Sequence, residues 1–243
     1  MWTLAVGVAL AAQNVDHKPL SAILEGAVSG AGVSYVRLRE RREALGAYVQ
    51  SLEAVEVSSL SKSEQLALWI NAYNAHTLAV VIDAGPPKSI LEIDDGEVWK
   101  RRTFTVAGEV LTLDAMEHQR ARPLGDGRVH AAVNCASKGC PPLPPAALEA
   151  ATLDQQLDTA ARLWAGSNAY SWVDGQLRMS KIFDWYAEDF EDYRLEGSMD
   201  PKLAGAVGFL VRFVDEAEAA RLRAAAAGAG WQDYDWSLNQ QES

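Results

Sequence analysis

Both cysteines of the chain, Cys135 and Cys140, lie in one short stretch, HAAVNCASKGCPPL, together with His130. Such residues support four kinds of site: an inert buried thiol, a disulfide, a zinc centre and a catalytic nucleophile. The turn ASKG after Cys135 favours the nucleophile, because turn N–H groups and the charge of Lys138 would both lower the pKa of the thiol. The same N–H groups would hold an oxyanion.

The disulfide and the zinc centre are the alternatives that use Cys140. Only four residues separate the two cysteines, so a bridge would contribute about 2 kcal/mol by loop closure, which favours a local clamp or a redox element over a staple for the fold. A zinc centre would take both cysteines with His118 and His130, but their spacing is not that of a zinc finger. We therefore predict no bound metal and no cofactor.

The base for a nucleophile has to come from a neighbouring element. The stretch GRVHAAVNC predicts a strand, and because side chains alternate between the faces of a strand, His130 should point away from Cys135. We predict that His118, in the short helix DAMEHQRA, is the base and that Glu117 helps to orient it. Glu117 also has a simpler interpretation, as the third residue of a capping box opened by Asp114.

Asn71 and Asn74 lie three residues apart in LWINAYNAHTL, on one face of a mostly apolar helix. Burying two amides without partners is costly, so each should hydrogen-bond a neighbouring loop or a ligand. Holding a loop is the more common role. Asn71 is nevertheless a second candidate for orienting the base, and Asn74 a candidate for binding a ligand. His76 faces elsewhere and is expected at the surface.

Caps mark the helices that must position these residues. Ser61 and Glu64 form a capping-box pair, which predicts a helix over residues 62–84, and Gly85 is expected to end it. The stretch VRLRERREALGAYVQSLEAV predicts one amphipathic helix before it. The stretch KLAGAVGFLVRFVDEAEAARLRAAAA predicts another helix near the C-terminus.

Turn residues mark two hairpins. Ala107–Gly108 and Asp174–Gly175 each lie between runs of alternating polarity, which is typical of a hairpin. Helices come first along the chain and then alternate with hairpins. This order predicts an α+β fold, in which a helical N-terminal part packs on a small antiparallel sheet that carries residues 103–179.

Composition limits the function. The 243 residues include 22 Lys and Arg against 33 Asp and Glu, a formal net charge of −11. A surface this acidic repels phosphate backbones, so nucleic-acid binding is not expected. The expected partner is an unidentified small molecule or peptide.

The N-terminus is apolar from Trp2 to Ala12 and contains the small-x-small pattern of a signal-peptide cleavage site. This run is far shorter than the roughly 20 residues that a membrane span needs. We interpret residues 1–12 as the remnant of a signal peptide and residues 13–243 as a single α+β domain. The protein is then expected to be exported to the periplasm or the outside of the cell, where disulfides form.

Five stretches, in this order, resemble the motifs of domain-of-unknown-function family 547: LWINAYNAHTL, LDAMEH, RVHAAVNCASKGCPPL, SKIFDWYAEDF and YDWSLN. The resemblance covers about residues 35–239. The family includes secreted bacterial proteins and plant proteins, and its name implies no chemistry. Beyond the candidates above, the matching residues are Trp69, Tyr73, Pro141, Ser180, Lys181, Trp185, Tyr186, Asp189 and Phe190.

A helix packed on an antiparallel sheet, with Cys and His on separate elements, is loosely similar to papain-like and transglutaminase-like folds, although here His118 precedes Cys135. The first hypothesis is an exported thiol-dependent acyl-transfer enzyme, a hydrolase or transferase, with Cys135 as nucleophile and His118 as base. The alternative is a non-catalytic binding domain with a Cys135–Cys140 disulfide. The residues predicted to bind the substrate or partner are Asn74, His130, Lys138 and Cys140.

Overall fold

The protein is described here from a computed structural model of residues 15–30 and 32–241, so the predicted signal peptide lies outside the described residues. The α-helices are α1 (Lys18–Leu24), α2 (Tyr35–Glu40), α3 (Arg42–Ser51), α4 (Lys62–Ala84), α5 (Val98–Arg101), α6 (Leu113–Met116), α7 (Val129–Ala132), α8 (Leu153–Ala165), α9 (Lys181–Trp185), α10 (Pro201–Leu210) and α11 (Glu216–Ala225). The strands are β1 (Val28–Ser29), β2 (Gly32–Val33), β3 (Thr103–Val106), β4 (Glu109–Thr112), β5 (Tyr170–Val173), β6 (Gln176–Met179) and β7 (Gly230–Trp231).

Helix α4 lies at the centre of the core, and every side chain from Leu66 to Ile82 is buried. Its start is fixed by the predicted capping box, in which the Ser61 side chain accepts from the Glu64 N–H and the Glu64 carboxylate accepts from the Ser61 N–H. Gly85 ends it with a φ of +71°. The predicted bounds of this helix are confirmed. Because it is buried all round, it has no face that is reserved for solvent.

Both predicted hairpins are confirmed, with β3 pairing to β4 and β5 to β6. The turn residues Ala107–Gly108 and Asp174–Gly175 all have φ between +50° and +76°, the left-handed conformation that tight hairpin turns require. The α+β class is confirmed too. The single antiparallel sheet over residues 103–179 is wrong, because the described residues form three separate small sheets and β7 pairs with β6 in parallel.

The segment predicted as a strand, GRVHAAVNC, is instead the short helix α7 followed by an extended stretch from Val133. The four side chains of α7 are all buried, so no alternation of polar and apolar faces distinguishes strand from helix here. The N–H of Val133 donates to the Val129 carbonyl at 3.0 Å, which closes the helical turn. The predicted opposition of His130 and Cys135 across a strand therefore does not hold.

Two predicted long helices are broken into shorter ones. Helices α2 and α3 are separated at Arg41, and α10 and α11 are separated by a turn that ends at Asp215, whose side chain caps α11. The amphipathic character predicted for the stretch before α4 is confirmed, because Leu38, Leu45, Tyr48 and Leu52 are in the core. The second helix of each pair still buries apolar side chains, which are Leu45 and Tyr48 in α3 and Ala219 and Leu222 in α11.

The C-terminal segment, residues 232–241, crosses the molecule without a long element of its own. Its backbone forms hydrogen bonds with the backbone of Lys88, of the loop over residues 136–139 and of Val33. It thereby ties the loop that carries both cysteines to the central part of the fold. Within residues 15–30 and 32–241, no helix combines the length and the apolar character needed to cross a membrane.

Candidate functional site

A pocket of about 270 Å³ opens where α4, the turn after α6, the cysteine loop and the C-terminal segment meet. Its walls are mainly aromatic rings, from Tyr73, Trp99, Trp185, Tyr186, Tyr234 and Trp236. Four of these, the three tryptophans and Tyr234, contact one another with ring centroids 4.5 to 5.9 Å apart. Its polar lining includes Lys100, Asp114, Glu117, His118 and His130. We call this space the aromatic pocket.

Cys135 and Cys140 form a disulfide that lines the aromatic pocket, with their Cα atoms 6.3 Å apart. The Cys135 N–H donates to the Cys140 sulfur at 3.0 Å. The Tyr234 hydroxyl lies 3.3 Å from each sulfur, and the Ser137 hydroxyl lies 3.1 Å from that of Cys135. A sulfur bonded to another sulfur is not a nucleophile, so Cys135 would have to be reduced before it could attack an acyl group.

The cysteine loop, residues 135–140, is held by hydrogen bonds that do not involve the disulfide. The N–H groups of Lys138 and Gly139 each donate to a carbonyl of the C-terminal segment at 2.8 Å. The N–H of Ala136 donates to the Asn134 side chain at 2.9 Å, and Ala136 itself has a φ of +67°. These three N–H groups were expected to be free to hold an oxyanion, but each already has an acceptor within the protein.

Glu117 does not belong to a capping box. Thr112 caps α6 by accepting from the Ala115 N–H at 3.1 Å, and the chain then widens into a π-type turn over residues 117–121. Such turns change the direction of the side chains, and they often occur at functional sites. This one places Glu117 in the lining of the aromatic pocket with 8% of its surface exposed.

The carboxylate of Glu117 lies beside two tyrosine hydroxyls. Burial raises the pKa of Tyr73 well above its ordinary value, and the charge of Glu117 raises it further. Burial followed by the charge of Glu117 also raises the pKa of Tyr186. Both hydroxyls therefore keep their protons near neutral pH and face the carboxylate as donors. A buried carboxylate surrounded by donors is a ready acceptor for one more hydrogen bond from a ligand.

His118 lies in the pocket but its ring is already engaged. Its Nδ1 is 2.7 Å from a guanidinium nitrogen of Arg122, and because a guanidinium only donates, Nδ1 must be the acceptor. The proton of the neutral ring is then on Nε2, which faces the Asp114 carboxylate at 3.7 Å. In this arrangement His118 has no lone pair left to take a proton from Cys135.

His130 is held in the opposite tautomer. Its Nε2 lies 2.6 Å from a carboxylate oxygen of Asp189, so this nitrogen donates and Nδ1 is left as the acceptor. The ring stacks on Tyr186 with centroids 4.4 Å apart. Burial would raise the pKa of Asp189, but the hydrogen bonds from His130 and Arg122 outweigh burial and hold it below its ordinary range. Nδ1 of His130 is therefore an acceptor, whereas Nδ1 of His118 is already engaged by Arg122.

The structure brings together five of the eight predicted site residues, which are Glu117, His118, His130, Cys135 and Cys140. Lys138 lies elsewhere and lines a second cavity on the other side of the cysteine loop. Asn71 and Asn74 are buried in the core and do not line the aromatic pocket.

The two asparagines hold loops. Asn71 donates to the Leu148 carbonyl at 2.8 Å and accepts from the Leu148 N–H at 2.9 Å. Asn74 donates to the Ala132 carbonyl and accepts from the Asn134 N–H, both at 2.9 Å. We call these two residues and their backbone partners the asparagine clamp. With all of these contacts going to backbone groups, Asn71 makes none that would orient His118.

His76 was expected at the surface, and that prediction is wrong. The ring is buried against Phe104, with centroids 4.4 Å apart. Burial lowers its pKa to about 4. Among the described residues its Nε2 finds no hydrogen-bond partner. Since α4 is enclosed on every side, even the residues turned away from the asparagine clamp are in the core.

The residue types and spacing in the sequence indicate no role for the aromatic walls or for Asp189. Tyr73, Trp185, Tyr186 and Asp189 were among the residues that match the family motifs, so the motif positions themselves were the signal. The sequence could not show that residues more than a hundred positions apart, such as Tyr73 and Tyr234, line the same pocket.

A zinc centre is not supported. The two cysteines that it would need are bonded to each other. Throughout residues 15–30 and 32–241, no group of three or more His, Cys, Asp or Glu side chains is arranged to hold a metal ion.

Comparison with known proteins gives a match to one family model. The model of the family described as "Protein of unknown function, DUF547" matches residues 57–164, the part of the chain that runs from before α4 through α8. The chain matches no curated protein and no solved structure. The analogy to papain-like and transglutaminase-like folds is accordingly not confirmed.

Proposed function

We propose that this chain, whose residues 57–164 belong to the DUF547 family, binds a small organic amine in the aromatic pocket, as a free molecule or as part of a peptide. The observation that carries the proposal is the convergence of a buried carboxylate, Glu117, with walls built from six aromatic rings. A pocket with apolar walls and a few polar groups is the usual form of a small-molecule site.

The charges in the pocket favour a cation. Asp114 and Glu117 bring two carboxylates to the lining, against the single ammonium of Lys100. The guanidinium of Arg122 adds little, because it is paired with Asp189 and Glu188 at 2.5 Å each. The faces of tryptophan and tyrosine rings also attract cations. An amine would therefore gain both a hydrogen bond to Glu117 and contact with the aromatic walls.

The disulfide supports a role outside the cytoplasm. Disulfides persist in oxidising compartments such as the periplasm and the extracellular space, and the Cys135–Cys140 pair fits the export predicted from the N-terminus. In a binding domain the disulfide serves as one wall of the pocket and needs no reduction to do so.

The acyl-transfer hypothesis requires the same residues to change their chemical state. Cys135 would first need to be reduced, and His118, the predicted base, shares its lone pair with Arg122. Three of the expected oxyanion donors of the cysteine loop, the N–H groups of Ala136, Lys138 and Gly139, are engaged by other acceptors. Binding requires none of these groups to change, so it is the function that we favour.

The test compares two ligands that share a ring and differ in charge. Tyramine carries an ammonium group, and hydroxyphenylpropionate carries a carboxylate on the same kind of ring. Titrated into the oxidised protein, tyramine should change the fluorescence of the pocket tryptophans and saturate, while the carboxylate should bind at least about tenfold more weakly. Equal affinities, or no saturable signal with tyramine or with longer aromatic amines, would overturn the proposal.

A further inference from the structure

We propose that the Cys135–Cys140 disulfide exchanges with a cationic organic thiol bound in the aromatic pocket, and that Cys135 is the sulfur that the thiol attacks. This inference rests on the pocket of the proposed function and adds a chemical step to it. It uses the disulfide as a reactant, whereas binding alone uses it as a wall.

The two cysteines differ in exposure. Both cysteines line the pocket, but Cys135 is half-buried, whereas Cys140 is buried with only 7% of its surface exposed. A thiolate that enters the pocket therefore meets the sulfur of Cys135 first. Exchange proceeds in line with the disulfide bond, so attack on one sulfur expels the other.

The sulfur that would leave has donors already in place. The Cys135 N–H lies 3.0 Å from the Cys140 sulfur, and the Tyr234 hydroxyl lies 3.3 Å from it. Burial raises the pKa of Tyr234, so the hydroxyl keeps its proton and can donate. Hydrogen bonds to a thiolate stabilise it, and a more stable thiolate is a better leaving group.

The step balances without another reactant. The organic thiol loses its proton to solvent, and its sulfur forms a bond to Cys135 as the Cys135–Cys140 bond breaks. Cys140 takes the electron pair and becomes a thiolate. A second thiol can then attack the mixed disulfide, which releases an organic disulfide and leaves both cysteines reduced. The thiol is oxidised and the protein disulfide is reduced by two electrons.

The fold does not depend on this disulfide for the shape of the loop. The cysteine loop is tied to the C-terminal segment by the N–H groups of Lys138 and Gly139, and the Asn168 side chain donates to the Lys138 and Cys140 carbonyls at 2.8 Å. Asn134 holds the other side by donating to the Pro141 carbonyl at 2.7 Å. None of these hydrogen bonds uses a sulfur atom, so we expect the loop and the pocket to keep their form when the disulfide is reduced.

The substrate class follows from the charges of the pocket. Cysteamine and mercaptopropionate are small thiols of similar size with opposite charges. The rate at which each reduces the folded protein is divided by its rate with an exposed model disulfide, which removes differences in thiol reactivity. Because Asp114 and Glu117 line the pocket, the normalised rate for cysteamine should be at least about tenfold higher than that for mercaptopropionate.

Single variants of the full chain test which sulfur is attacked. Cys140→Ser leaves the Cys135 thiol, and Cys135→Ser leaves the Cys140 thiol. With an aromatic disulfide as probe, the Cys135 thiol should react at least about tenfold faster.

Tyr234→Phe should slow reduction of the wild-type disulfide by about tenfold through loss of one hydrogen bond to the leaving thiolate, while Tyr193→Phe, outside the pocket, should not change it.

The outcomes separate the two proposals. Reduction that is no faster than global unfolding, or equal reactivity of the two single thiols, overturns the exchange even if tyramine binds. Tyramine binding is also measured on the double variant Cys135→Ser/Cys140→Ser, which cannot exchange. If exchange occurs with the predicted preferences but tyramine binds to no form of the protein, the proposed function fails and the exchange stands.

Discussion

Asn74 in the asparagine clamp and Glu117 in the aromatic pocket are polar side chains with 5% and 8% of their surface exposed. Their surroundings differ. The amide of Asn74 donates to the Ala132 carbonyl and accepts from the Asn134 N–H, so both contacts are to backbone groups. The carboxylate of Glu117 faces tyrosine hydroxyls on one side and the open space of the pocket on the other.

The difference separates a structural polar group from one that is available to a ligand. A buried group whose hydrogen bonds all go to the backbone fixes the course of the chain, and its loss orphans those backbone groups. A buried group that faces a cavity still has acceptor capacity that only a ligand or water can use. The asparagine clamp should therefore matter mainly for stability and the pocket mainly for binding.

The largest effect is expected from breaking the clamp. Asn74→Ala leaves a buried carbonyl and a buried N–H without partners, so the free energy of unfolding should fall by about 4 kcal/mol. Denaturant unfolding of the variant measures this loss. Gln155→Ala, which removes an exposed amide from α8, serves as the control and should change the stability by less than about 0.5 kcal/mol. A loss from Asn74→Ala as small as the control would contradict the structural role of the clamp.

A second effect comes from His76, which lies on the same helix as the clamp but whose Nε2 has no hydrogen-bond partner among the described residues. Its pKa is about 4 in the folded protein, against about 6.5 in the unfolded chain, because burial disfavours the charged ring. Its contribution is fully present above pH 6.5 and is lost as the pH falls towards 4, since the unfolded state then binds the extra proton. The loss should amount to about 3 kcal/mol.

The pH dependence can be assigned by substitution. His76→Leu keeps an apolar side chain against Phe104 and removes the titrating ring. Its unfolding free energy should fall less steeply than that of the wild type between pH 6.5 and 4. Part of the slope should remain, because burial also lowers the pKa of His17 to about 4. Identical slopes in the two proteins would show that His76 is not buried as described.

The sequence was sufficient where the determinants are local. The capping box of Ser61 and Glu64 and the left-handed turn at Asp174–Gly175 each depend on a few adjacent residues, and both were predicted correctly. The sequence was insufficient where tertiary contacts decide. Helix α7 reads as a strand because it is buried on all sides.

The same distinction explains the outcome at the site. Cys135, Cys140 and their neighbours could be singled out by type and spacing, and five of the eight candidates do meet in one pocket. The tautomers of His118 and His130 could not be predicted from the sequence, because each depends on a partner, Arg122 or Asp189, whose position is set by the fold.

Glu117→Gln tests the central claim most directly, because it keeps the size of the side chain and removes its charge. We predict that the free energy of unfolding changes by less than about 1 kcal/mol, while the affinity for tyramine falls at least about tenfold. Both quantities are measured on one preparation by denaturant unfolding and tryptophan fluorescence. Unchanged tyramine affinity, or a loss of stability as large as that of Asn74→Ala, would contradict it.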